Sequence, residues 1–349
     1  MDGVESIRLR RIPSRARTAW LAARLVCLLA FCTAAGTHAR TQSILTLDAA
    51  GNQIGSFDLS ITDEQFIRAI EVDHAGHYWV GISDRSQTRN EFKPGDRVVK
   101  FAPDGTPLLE VKGPMRAPRS IAIDTLGNIF VGGVPDGGSL SAHSVYRFAP
   151  DGSYRGSFGL NNSASGYLGA SYVDLEEAPG GGVFAASSLP DSVERFNQVG
   201  TKTATTRNSG PAIPNILRGV ALSEDEQTLW AIGRNQFTKQ TLIYERDAND
   251  LSLIQTFILP EDQRFIQGLE RNADGDLATR NLGEIEIYST QGALIDTITI
   301  PGWELGMTSH GFAIDAAGNY VVDSVPEPAS LPLLVIAGLF AARRRRDRN

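Results

Sequence analysis

Two ladders of residues, set three positions apart, are the part of this sequence that could do chemistry. Arg68, Arg119, Ser171, Arg218, Gln267 and His310 each stand at the head of an apolar run, and three residues later come Glu71, Ala122, Asp174, Ala221, Glu270 and Ala313. Acid and alanine alternate in the second ladder, and arginine recurs in the first. If the runs are strands around a common axis, three carboxylates and three arginines converge there, where burial demands either mutual pairing or a bound counter-ion. The expectation is a polar channel mouth centred on Glu71, Asp174 and Glu270, with Arg68, Arg119, Arg218 and His310 as partners or as anion ligands. The three carboxylates are also candidate metal ligands, with Ca2+ as the cation to test. Salt bridges that hold neighbouring units in register are the competing use of the same residues.

Other clusters carry less. His74 and His77 share one turn and read as solvated turn residues rather than a metal pair. Asn272, Asp274 and Asp276 resemble a fragment of a calcium loop but lack its later bidentate glutamate, so a hairpin turn is expected. No phosphate-binding glycine loop, paired-cysteine metal site or nucleophile elbow is present. Both cysteines, Cys27 and Cys32, fall in the first apolar run, so a chain cleaved behind that run has no thiol and no disulfide. The two ends carry +4 each, and taking them from the total of −7 leaves −15 on the middle of the chain. So acidic a surface excludes nucleic acid as a partner.

The architecture follows from self-similarity. Two motifs alternate six times between residues 43 and 323. One is an apolar strand, a tight turn and a second strand, at 70–80, 121–131, 173–184, 220–230, 269–278 and 312–321; the other is a hairpin beginning at Ile44, Val98, Val145, Val193, Leu242 and Ile285, at spacings of 43 to 54 residues. Asp104 with Gly105, Asp151 with Gly152, Gly127 with Asn128 and Gly318 with Asn319 supply the positive φ that tight turns need. Period-two strands in units of four, repeated at this interval, predict an all-β fold, one six-bladed β-propeller over 40–324. The chain begins with an orphan hairpin and ends with an orphan first motif, so one blade must be built from both termini. Trp79, Phe130, Phe184, Trp230 and Tyr320 recur on the second strand and read as blade-packing core.

The ends read as addresses. Six arginines up to Arg24, an apolar run at 25–35, and then Thr37, His38 and Ala39 make a secretory signal over 1–39, cut after Ala39. The run is far short of the ~20 apolar residues of a membrane span. At the other end stand Val325, Pro326, Glu327 and Pro328, an apolar run at 331–342, and Arg343, Arg344, Arg345 and Arg346. Residues 329–342 as a helix reach roughly 21 Å against a hydrocarbon core of ~30 Å, a short transmembrane helix held with its arginines in the cytoplasm. This segment, 325–349, resembles the PEP-CTERM sorting tail of Gram-negative bacteria. The resemblance implies an exosortase and the export machinery as partners, cleavage near Pro326 and Pro328, transient membrane anchoring, and delivery to the cell surface or extracellular matrix. Similar tails close some ice-binding proteins, but the tail is an address and implies no ice binding.

Ala117 to Asp124, then Gly127 to Val131, then Val145 to Phe148 with Asp151 and Gly152, resembles an NHL repeat, and the blades are similar to those of gluconolactonase or regucalcin-like propellers. The gluconolactonase-like resemblance implies calcium held by acidic and Asn side chains in the channel. Here half the acidic positions are alanine and arginines stand close by. The sequence therefore points first to a non-enzymatic exported binding module for a polysaccharide or protein ligand, with a metal-dependent lactonase-like hydrolase using the channel carboxylates as the alternative.

Overall fold

The computed structural model describes residues 42–62, 65–84, 96–135, 144–159, 172–188, 191–206, 215–235, 237–259, 266–303 and 311–324. The signal segment with Ala39, the ladder positions Ser171 and His310, and the tail from Val325 to Arg346 lie outside the described residues. Among the described residues every element is a strand, and no helix is long and apolar enough to cross a membrane.

The chain enters on β1 (Gln42–Leu47) and β2 (Gln53–Leu59). Blade one is β3 (Gln65–Val72), β4 (Tyr78–Asp84), β5 (Arg97–Phe101) and β6 (Pro107–Val111), and blade two is β7 (Met115–Ile123), β8 (Ile129–Pro135), β9 (Ser144–Phe148) and β10 (Tyr154–Phe158). Blade three is β11 (Tyr172–Glu177), β12 (Val183–Ser188), β13 (Asp191–Phe196) and β14 (Lys202–Thr205). Blade four is β15 (Asn215–Leu222), β16 (Thr228–Asn235), β17 (Thr241–Asp247) and β18 (Leu253–Ile258), and blade five is β19 (Ile266–Arg271), β20 (Leu277–Asn281), β21 (Glu284–Tyr288) and β22 (Leu294–Thr299). The sixth sheet has the order β2-β1-β24-β23, with β23 (Phe312–Ile314) and β24 (Tyr320–Ser324) joining the N-terminal hairpin. This is the expected six-bladed propeller, and its last blade is closed by strands from both termini.

Closure is antiparallel, from Ser43 opposite Ser324 to Leu47 opposite Tyr320. The innermost strands β3, β7, β11, β15, β19 and β23 each touch the next, and β23 touches β3, so the channel is walled all round. A closed ring leaves no blade face for solvent to compete for.

The core sits between blades rather than inside one. Six separate apolar clusters form, one at each blade interface; Ala69, Trp79, Val98, Ile121 and Tyr146 join blades one and two, for example. Outer strands such as β18 and β22 are mostly exposed, including the apolar side chains of Leu253, Ile254, Ile258 and Ile295. The turns after the inner strands, except that at Ala178 in blade three, are tied by the side chain of their first residue: Asp124 Oδ1 accepts from the amides of Leu126 (3.0 Å) and Asn128 (2.7 Å), while Gly127 takes the φ of +79°.

One buried ion pair fastens the closing blade. Arg280 on β20 donates to Asp323 Oδ1 (2.5 Å) on β24 and to the carbonyl of Gly311 (2.6 Å), and both side chains are almost wholly inaccessible. The guanidinium lies 4.8 Å from the Trp303 ring centre.

Candidate active site

Register decides which side chains face the channel together. Glu71 pairs with Trp79, Ala122 with Phe130, Ala221 with Trp230, Glu270 with Ala278 and Ala313 with Val321. In blade three the residue in this ring is Glu176, opposite Phe184, whereas Asp174 lies opposite Ala186, two residues earlier along the strand. The alternation of acid and alanine is real, but its third acid is Glu176. The spacing from the apolar run puts Asp174 in that ring, but the turn begins at Ala178 here and at Asp73 in blade one, and the residue two before it is Glu176. Tyr320 is likewise one residue out of the aromatic series, since it pairs with Ile314 and lies parallel to Phe312 across 6.4 Å.

The arginines come from β-bulges. Register slips between Ile67 and Ala69, between Arg116 and Ser120, and between Leu217 and Gly219, leaving Arg68, Arg119 and Arg218 on the extra residues of β3, β7 and β15. A bulge turns a side chain out of the strand's alternation, and here it aims three guanidinium groups at the axis. Asp96, which the sequence reading missed, helps hold one of them: its carboxylate accepts from the amides of Asp84 (2.8 Å) and Ala117 (3.0 Å), and Ala117 has a φ of +48° at the start of the bulge that carries Arg119.

Arg68, Arg119, Arg218, Glu71, Asp174 and Glu270 all line one cavity of about 80 Å³, large enough for several waters or one end of a small ligand. These carboxyls keep some accessible surface because the channel is hollow, yet protein surrounds them closely enough to disfavour charge. Burial pushes Glu71 up to about 8, and the charges of Asp174, Asp73 and Glu177 add to it against one amide bond from Val72. Burial pushes Asp174 up to about 7, although the amides of Val220 (2.9 Å), Leu175 and Leu269 pull the other way. Glu176 and Glu270 are raised by the same desolvation and then by Glu71. Burial pulls Arg68 down to about 10, with Arg119 repelling it and Asp96 opposing, and it lowers Arg119 and Arg218 as well. The charges acting on Glu71 and Glu270 are thus other carboxyls, which is not the environment of salt bridges between blades. Three guanidinium groups thus share the cavity with carboxyls whose neutral form burial favours, an arrangement suited to an anionic or carbonyl ligand and to proton transfer.

Calcium does not fit these residues. Among the described residues no three His, Cys, Asp or Glu side chains are grouped to hold a metal ion. Asp174 Oδ1 accepts from the amide of Leu175 on its own strand (3.2 Å) and Oδ2 from that of Val220 on β15 (2.9 Å), and guanidinium groups share the cavity. His74 and His77 each meet a different carboxylate: His74 Nε2 lies 2.9 Å from Glu177 Oε2, and His77 Nδ1 3.2 Å from Asp73 Oδ1. Asn272 Oδ1 accepts from the amides of Asp274 (3.1 Å) and Asp276 (2.8 Å), a hairpin turn as expected.

No protein-family model matches the chain, and no curated protein sequence does. Solved structures match its fold. A virginiamycin B lyase from Staphylococcus aureus is 14% identical with a TM-score of 0.52, covering 80% of this chain and 87% of its own. A gluconolactonase from Xanthomonas campestris is 17% identical with a TM-score of 0.50, over 75% and 86% of the two chains. The hydrazine synthase of Kuenenia stuttgartiensis is 16% identical with a TM-score of 0.52, over 76% of each. The chain shares the propeller of these proteins.

Proposed function

We propose that this propeller is a channel enzyme, a lactonase-like hydrolase that opens a lactone or related ester without routing the chemistry through a metal. The convergence of Arg68, Arg119 and Arg218 with Glu71, Asp174 and Glu270 in one cavity carries the reading. The arginines hold the carbonyl oxygen as it gains charge and the carboxylate that ring opening releases. Asp174, titrating about neutrality, takes the proton of the attacking water, and Glu71, still protonated there, delivers one to the leaving oxygen. That two structural neighbours are a gluconolactonase and a lyase supports an enzyme in this fold, and for that reason the hydrolase takes precedence over a non-enzymatic binding module.

Hydrolysis of a panel of sugar and fatty-acyl lactones, followed by proton release, tests it. Turnover by the native chain that falls at least a hundredfold in Glu71→Gln and in Asp174→Asn is expected; a panel that no form of the protein hydrolyses faster than buffer sinks the proposal.

We infer in addition that the enzyme works outside the cell. The signal ahead of Arg40, the Pro326 and Pro328 motif and the arginine block of the tail support export, a membrane-held intermediate and exosortase processing. Mass measurement of the protein released from its host reads both cleavage points directly.

A further inference from the structure

The arginines of the channel form a layer of their own. Arg68, Arg119 and Arg218 ride on bulges of β3, β7 and β15, each just ahead of a small residue, Ala69, Ser120 or Gly219, and all three stay part-exposed along the cavity they line. Among the described residues no carboxylate comes within ion-pair distance of Arg68 or Arg218. Burial lowers both, and the charges that act on them next are Arg119 and Asp96 for Arg68, and Arg119 and Arg234 for Arg218. Asp96 alone among these is an acid, and the channel carboxyls are not in the set. The charges acting on Glu71 and Glu270 are in turn other carboxyls. The acid layer therefore does not neutralise the arginine layer, although the two share one cavity.

Like charges brought together in a partly buried site need a counter-charge. Each guanidinium is a fork of several N–H donors, so three of them exceed what one developing oxyanion can accept. The surplus matches an anion that is already present before reaction, and guanidinium forks fit the paired oxygens of a phosphate or carboxylate. A cavity of about 80 Å³ admits such a group but no polymer, and the −15 carried between the two terminal segments turns polyanions away from the surface. Register places the charge relative to the ester. Counted back from the turns that begin at Asp73 and Ala178, Asp174 is level with Ala69, one residue from Arg68. At ~3.3 Å per residue, an anion held by the arginines lies only a few bonds from a carbonyl beside Asp174.

We propose, resting on the hydrolase reading of the same channel, that its substrate is a small lactone already bearing a phosphate or carboxylate, with Arg68, Arg119 and Arg218 as the specificity residues that bind this standing charge.

The full chain is tested by proton release on D-glucono-1,5-lactone, on its 6-phosphate, and on D-glucaro-1,4-lactone, which carries a free carboxylate. At least one charged lactone is expected to exceed the neutral one about twentyfold or more in kcat/KM, chiefly through KM, with the preference shrinking as salt is added. Arg218→Gln should cut the ratio of charged to neutral kcat/KM about tenfold, the worth of one charge-assisted hydrogen bond, and Arg218→Lys should restore part of it. Arg119→Gln stands in if Arg218→Gln does not fold. Calorimetric titration with 6-phosphogluconate and gluconate, which have no ester to open, runs beside the rates: the phosphate is expected to tighten binding at least tenfold in the native chain and far less in Arg218→Gln. A neutral lactone hydrolysed as well as both charged ones, or an Arg218→Gln and an Arg119→Gln that keep the native ratio, overturns the proposal and leaves the hydrolase standing. If no lactone is hydrolysed, the hydrolase reading falls and the titration decides the anion site: tighter binding of 6-phosphogluconate upholds it, and equal binding of the two acids overturns it.

Discussion

Replacing Arg280 by Met should unfasten the ring. The guanidinium makes hydrogen bonds to Asp323 Oδ1 (2.5 Å), to the carbonyl of Asp323 (3.3 Å), to that of Gly311 (2.6 Å) and to that of Leu282 (3.2 Å). It thereby joins blade five to the C-terminal strand and to the residue leading into β23. Arg280 and Asp323 are each 1% exposed, so water cannot replace what is lost. Methionine keeps the apolar stem against Trp303 but leaves the Asp323 carboxylate buried without its cation. Removing one partner of such a pair costs about 3–5 kcal/mol. At about 2 °C per kcal/mol for a domain of this size, the melting temperature should fall by roughly 6–10 °C. Thermal melts and urea titrations of the native chain, Arg280→Met and Arg280→Met/Asp323→Leu form the cycle. The double variant should regain most of the loss, because no unpaired charge remains. A single variant that melts within a degree of native, or a double variant as unstable as the single, would refute a latch built on this pair.

The channel acids make stability depend on pH with a definite sign. Unfolded Glu71 ionises near 4.5 and folded Glu71 near 8, and Asp174 moves from 3.8 to about 7, so the folded state holds the extra protons. Stability from these groups is full at acidic pH and declines as pH rises from about 4.5 to 8, and the Tm of Glu71→Gln should decline less over that window; equal slopes would contradict the burial of Glu71. Asp73, held down to about 2 by Lys100, His77 and Trp79 against its own burial, acts below that window and leaves the slope alone. Gly219→Ala should lower the Tm and abolish channel activity together, since a Cβ there would lie 2.5 Å from the backbone of Gly268 and Leu269 on the next inner strand and displace the bulge that carries Arg218. Native-like melting with native activity in Gly219→Ala would show that the inner strands can part without cost.

How much was legible follows from the range of the interactions involved. Strands, turns and the six-fold repeat depend on neighbours within one hairpin, and Asp124 with Gly127 or Asp315 with Gly318 declares its turn wherever it occurs. The termini-built blade was legible too, because an orphan half-unit at each end has no other partner. The candidate site was legible only in part. Glu71, Asp174 and Glu270 were found as chemistry, but Glu176 was missed because blade three reaches its turn two residues later than a count from the apolar run allows.

Sequence by itself therefore determined the all-β repeat, the number of blades and the residue types that line the axis, since period-two alternation and turn chemistry are local and recur with each unit. Only the tertiary structure decided which acid stands in which ring, that the arginines ride on bulges, and that Arg280 reaches Asp323 across 43 residues. Each of these depends on where one strand lies against another, and a one-residue change of register or a single bulge moves a side chain from the core to the channel without altering the composition of the run that carries it.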